Sequence, residues 1–145
     1  MRVSPKGPLG LKERKEPPPL NKPRPKMRRK SKKRAAREAS PEGREDAEYL
    51  AKVRNLPCVV CEAFGMTQNS PTEAHHVKSG RFSGRRTPDK MAVPLCHSHH
   101  NKLRPYPGDE DKIGYHNAQA TWESLYGEDH EYSAATRDRI ERMEL

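Results

Sequence analysis

The chain has 145 residues, of which 31% are hydrophobic and 34% charged, and its formal net charge is +9. That length allows one domain with extensions, and so low an apolar content builds no ordinary core without a staple such as a disulfide or a metal. Three cysteines cannot pair completely, Met1 to Leu20 holds no apolar leader and no run approaches membrane length, so the expectation is a reduced, cytoplasmic protein without a membrane segment, whose cysteines bind metal.

The charge is lopsided. Residues 1–44 hold 16 of the 29 Lys and Arg and 4 of the 20 Asp and Glu, a local balance of +12, which leaves −3 for residues 45–145. Residues 1–40 carry Pro17, Pro18, Pro19, Pro23 and Pro25, then a basic run that includes Arg28, Arg29, Lys30, Lys32, Lys33 and Arg34. Such a segment recovers too little by burial to offset the entropy of ordering it, so a disordered basic arm is expected over residues 1–40. Its cations suit DNA, because neutralising phosphates releases counterions without a folded surface. RNA would suit it equally, and a nuclear-import signal or a solvated tail has the same composition.

At Ser40 the character changes. Ser40 is an N-cap, Pro41 takes the first helical position, and Glu42, Glu45 and Asp46 suit the positive end of a helix dipole. Ala47, Tyr49, Leu50 and Val53 recur at helical spacing until Asn55 and Pro57. Tyr49, Leu50, Val53 and Leu56 are assigned to a small core.

Cys58 and Cys61 follow as a C-x-x-C knuckle, and Cys96 and His99 form a C-x-x-H knuckle farther on. Each knuckle supplies two ligands from one tight turn, the spacing of a closed four-ligand zinc site. His97 and His100 are alternatives to His99 for the fourth position. A redox role for C-x-x-C would need a thioredoxin-like βαβ setting that is absent here. Residues 72–78 and 91–96 read as short strands around a Gly- and Arg-rich loop, and residues 97–104 as a short helix stopped by Pro105 and Pro107. Two strands and a helix make a ββα unit, which the zinc would staple to the helix before it.

His75, His76 and His100 are left over. Adjacent residues on a strand face opposite ways, which suits a division of labour. His75 and His100 would hold a second, open metal, and His76 would take a proton from water. Arg81, Arg85, Arg86, Lys102 and Arg104 would supply the field that holds a polyanion. The plain alternative makes these histidines further zinc ligands or solvated side chains. Beyond Pro107, Tyr115, Ala118, Trp122, Leu125 and Tyr126 share one face of a helix that Gly127 ends, expected to pack on the ββα unit. Residues 133–144 form another helix with a thin stripe of Ala135, Ile140 and Met143.

The series C-x-x-C, then Ala74-His75-His76, then Pro94-Leu95-Cys96 with His99-His100, resembles the HNH (ββα-metal, His-Me finger) endonucleases. Among these it looks most like the phage and prophage members related to recombination-enhancement nucleases, over about residues 45–127. By position the resemblance implies His76 as the catalytic base, His75 and His100 as ligands of the catalytic metal, and Cys58, Cys61, Cys96 and His99 as the structural zinc set. The implied catalytic cation is Mg²⁺ or Mn²⁺, with Zn²⁺ a further candidate. Two positions depart from the family pattern. Met91 stands where the middle Asn belongs, and Asp89 nearby is the candidate to orient His76 instead. His75 stands where the family has Asp, and imidazoles suit a borderline metal better than a carboxylate does.

The expected architecture is α+β: a disordered basic arm over 1–40, a zinc-stapled HNH domain with flanking helices over 41–127, and a helical extension over 128–145. The expected function is metal-dependent hydrolysis of DNA phosphodiester bonds in recombination or DNA processing, by a phage or prophage protein in the bacterial cytoplasm. A recombinase filament is a candidate partner. The competing expectation is a non-catalytic, zinc-stapled DNA-binding accessory module.

Overall fold

A computed structural model describes residue 27, residues 29–80 and residues 86–143 of the chain, and Ser31–Leu145 form one compact unit. Residues 1–26 of the arm, together with Arg28, Arg81 and Arg85, lie outside the described residues.

The first helix, α1 (Lys32–Ala39), lies within the stretch expected as a disordered basic arm. The charge run conceals strong helix formers in Lys, Arg, Ala and Glu. Ser31 caps it by accepting the Arg34 N–H, and Arg34 pairs with Glu38 one turn on at 2.9 Å. Ser40 separates it from α2 (Pro41–Arg54), where it is the N-cap with Pro41 behind it, and Asn55 closes the helix. Ala47 is exposed rather than part of an apolar stripe. Val53 and Leu56 are buried against Ile140, with Tyr49 and Ala74 packed beside them.

A short α3 (Val59–Ala63) starts at Cys58. β1 (Thr72–His75) then pairs antiparallel with β2 (Val93–Cys96), with Thr72 opposite Cys96 and His75 opposite Val93. Both strands are shorter than expected, because the chain leaves the sheet after His75 and a 3₁₀ turn at Asp89–Met91 precedes β2. α4 (His97–His100) is a single turn and stops well before Pro105. α5 (Gln119–Tyr126) ends at Gly127, whose φ of 88° lies in the left-handed region that glycine adopts without strain. α6 (Ser133–Met143) follows.

The main core gathers Val60, Val77, Val93, Leu95, Tyr115, Trp122 and Tyr126 around the three cysteines. α5 therefore contributes Trp122 and Tyr126, four residues apart on one face, whereas Leu125 is 52% exposed. The face α6 buries is Ser133, Thr136 and Ile140, not Ala135 and Met143. Polar residues can occupy it because Ser133 gives its hydroxyl to the Met91 carbonyl and Thr136 to the Tyr132 carbonyl. Through Ile140, the stretch expected as a terminal extension packs on α2 and joins the same unit. No helix among the described residues is long and apolar enough to cross a membrane.

Candidate metal centres and active site

Cys58, Cys61, Cys96 and His99 are all buried, and their ligand atoms lie within 4.8 Å of one another. Cys58 sits at the start of α3 and Cys61 within it, while Cys96 ends β2 and His99 lies on α4. The His99 Nδ1 is 3.5 Å from Cys58 Sγ, 3.6 Å from Cys61 Sγ and 3.2 Å from Cys96 Sγ, and the Cys61 and Cys96 sulfurs are 3.9 Å apart. A tetrahedron with metal–sulfur bonds of about 2.3 Å and metal–nitrogen bonds of about 2.0 Å has edges of roughly 3.5–3.8 Å. The donor set therefore fits a structural metal such as zinc. Donation from Cys58 and Cys61 pushes Cys96 down towards the thiolate, while its bonds to Cys61 and Cys96 push Cys58 up. Three buried thiolates need a cation among them. His97 is occupied elsewhere, facing Glu73 through Nδ1 at 2.8 Å and accepting the Arg104 N–H through Nε2.

A second cluster joins His75, His100 and His116, whose ring nitrogens also lie within 4.8 Å of one another. β1 carries His75 and α4 carries His100. His116 arrives because the last carbonyls of α4 need donors: the N–H groups of Tyr115 and His116 bond to the carbonyls of His99 and His100 at 2.9 and 3.0 Å. The Nε2 atoms of His100 and His116 are 3.2 Å apart. His75 Nε2 faces Asp129 Oδ2 at 2.8 Å, and its Nδ1 is buried with no hydrogen-bond partner among the described residues. His100 Nδ1 faces Glu73 Oε2 at 2.6 Å. In His75 and His100 one nitrogen is thus held by a carboxylate, which leaves the other to accept a cation, whereas His116 Nδ1 faces the Lys78 ammonium at 3.4 Å. Burial lowers the His75 imidazole against the upward pull of Asp129. Burial, then Lys78 and His100, lowers His116 to about 4. Both rings are therefore neutral at neutral pH, with lone pairs available to a metal.

Asp129 is the buried anchor of this cluster. It accepts the N–H of Lys78 at 2.7 Å, the N–H of Ser79 at 3.0 Å and the Ser79 hydroxyl, besides facing His75. Burial alone would raise its carboxyl, but His75, Ser79 and the two backbone donors hold it well below the usual range. Asp129→Ala is expected to cost about 3–5 kcal/mol in urea unfolding near neutral pH, since it leaves those donors buried and unmet. A depressed carboxyl stabilises the fold above its unfolded value and loses that contribution as pH falls towards its folded value. The gap between wild type and variant should thus narrow below about pH 4; a constant gap would count against the assignment.

His75 and His76 part company at the end of β1. His76 faces Asp89 through Nε2 at 2.6 Å, and its side chain is 38% exposed. Arg86 lies 3.8 Å from the same Asp89 oxygen. Arg104 is exposed, as are Arg29, Lys30, Lys32, Lys33 and Arg34. The Lys102 ammonium donates to the backbone carbonyls of Glu110 and Lys112.

Sequence reasoning missed three residues of this site. Glu73 could have been found, because it lies two residues before His75 on the same face of β1. His116 and Asp129 carry no such local signal. A family model described as "Recombination enhancement, RecA-dependent nuclease" matches residues 42–140. No curated protein and no solved structure matches the chain.

Proposed function

The chain belongs to the recombination-enhancement, RecA-dependent nuclease family, and from that premise we propose that it is an HNH-type, metal-dependent endonuclease that hydrolyses DNA phosphodiester bonds. The observation that carries the reading is the convergence of His75, His100 and His116 on one point, with His76 anchored on Asp89 beside it. A purely structural zinc module has no use for this second set, which disfavours the non-catalytic alternative. β1, β2 and α4 serve as the ββα unit, and the nuclease domain runs from residue 41 through α6.

Asp129 holds Nε2 of His75 and Glu73 holds Nδ1 of His100, which leaves His75 Nδ1 and His100 Nε2 to take a cation together with His116. A divalent cation held there supplies Lewis-acid polarisation of the phosphate and stabilisation of the leaving oxygen. His76 gives its Nε2–H to Asp89, which leaves Nδ1 to take the proton of the attacking water. Asp89 holds the ring in that orientation and favours the imidazolium that forms. Arg86 and Arg104 hold the flanking phosphates. Three imidazoles favour Mn²⁺ or Zn²⁺ over Mg²⁺ at this position. The family's description names RecA, so the proposed partner is a RecA-type filament on DNA.

The test is cleavage of plasmid and of RecA-coated DNA with Mg²⁺, Mn²⁺ or Zn²⁺, and with chelator. Metal-dependent cutting is expected, and its absence with every metal, filament included, would sink the reading. His116→Ala should raise the metal concentration for half-maximal cleavage by at least about tenfold, while the Cys₃His metal content stays at one per chain. An unchanged metal titration would remove His116 from the site.

A further inference from the structure

None of the eight residues of α1 is buried, so no apolar contact in the core explains its placement. The backbone does. The Ser40 hydroxyl accepts the Gly43 N–H at 3.1 Å and donates to the Arg37 carbonyl at 2.6 Å, so one side chain starts α2 and closes α1. The Ser40 N–H reaches the carbonyls of Ala36 and Arg37 at 3.1 and 3.2 Å. Gly43 completes the corner, for a Cβ there would lie 2.1 Å from the Arg37 carbonyl oxygen. Only glycine lets the end of α1 rest against the first turn of α2.

This corner creates a groove of about 350 Å³, with Lys33, Arg34, Arg37 and Glu38 from α1 along one wall, Arg86 and Asp89 along the other, and Asp46 of α2 also lining it. Asp89 is the residue that anchors His76. Arg34 pairs with Glu38 and Arg86 approaches Asp89, whereas Lys33 and Arg37 make no ion pair among the described residues. Two uncommitted cations are thus held at a fixed place beside the proposed catalytic base.

We infer that α1 is a clamp for the phosphate backbone of duplex DNA, and that the groove is the track along which the strand leaves the scissile position. The inference rests on the nuclease reading for where that position lies. DNA offers a line of phosphates rather than one anion, which suits cations spread along a helix and a facing wall. Guanidinium groups grip phosphate oxygens with paired N–H donors, so Arg37 and Arg86 fix the strand from opposite sides.

The test uses the full chain carrying His76→Ala, so that DNA stays intact, and a short fluorescein-labelled duplex titrated across a salt series. Lys33→Ala with Arg37→Ala should weaken binding about tenfold or more and lower the slope of log affinity against log salt by about two. Arg86→Ala, on the opposite wall, should lower it by about one. The same double neutralisation away from the groove, at Arg54 and Arg142, should leave the slope unchanged. Gly43→Ala keeps every charge and improves the helix propensity of α2, yet it must displace α1; it should weaken binding severalfold at unchanged Cys₃His metal content. If Gly43→Ala and Arg86→Ala both bind like the parent, the basic residues act as a loose tail and the clamp is wrong, although the nuclease reading survives. If Arg54 and Arg142 matter as much as the groove pair, the clamp is likewise wrong. A parent that binds no duplex even at low salt would overturn the clamp, while the nuclease reading would be decided by cleavage of RecA-coated DNA.

Discussion

Cys58→Ala is expected to yield a chain without a cooperative unfolding transition. The three cysteines belong to the main core cluster, and the remaining apolar members are few: Val60, Val77, Val93, Leu95, Tyr115, Trp122 and Tyr126. A small core of this kind contributes only a few kcal/mol beyond the entropy of ordering the chain. Metal binding to a thiolate–imidazole tetrahedron contributes apparent free energies of about 10–16 kcal/mol, more than such a domain's whole margin. Removing one sulfur also leaves Cys61, Cys96 and His99 buried around a site that no longer closes. The measurements are metal content per chain and thermal unfolding followed by circular dichroism, with wild type treated by chelator under denaturing and native conditions. Wild type should bind one metal at the Cys₃His cluster and lose its transition once stripped. A soluble, metal-free Cys58→Ala protein with an intact melt would show that the fold stands without the staple.

The ligand pairs of that cluster were legible because each lies within a single turn, so spacing alone brings them together. The start of α2 was legible for a similar reason: Ser40 and Pro41 act through local backbone geometry. α1 was hidden by its own charge. A dense basic run reads as solvated chain, but Lys, Arg and Ala are good helix formers, and Ser31 with the Arg34–Glu38 pair suffices without burial. The buried face of α6 was hidden by polarity, since Ser133 and Thr136 enter the interior on hydrogen bonds to carbonyls rather than on apolar surface. His116 and Asp129 were out of reach on other grounds. The first is placed by backbone bonds to the end of α4, and the second crosses 54 residues of sequence to meet His75. Long-range polar contacts leave no periodic trace.

His76→Ala is expected to lower cleavage by about 10²–10⁴-fold, the span typical of removing a general base, while leaving fold and metal content unchanged. Geometry supports that separation of effects. The ring is more than one-third exposed and belongs to neither apolar cluster, so truncation opens no cavity in the core. It also lies outside both groups of metal-binding candidates. Among the described residues its single close partner is Asp89, 2.6 Å from Nε2, which makes a second variant informative. Asp89→Asn keeps a polar group against the ring but removes the charge that favours the imidazolium, so it should slow cleavage less than His76→Ala does. If Asp89 acts only through His76, the double variant should be no slower than His76→Ala alone. Cleavage rates of the four proteins, measured with the same metal and the same DNA, decide the matter. Equal rates for wild type and His76→Ala would move the catalytic base elsewhere. Slowing by the two substitutions that multiplies would instead give Asp89 a role of its own, such as steering Arg86 towards the phosphate from 3.8 Å away.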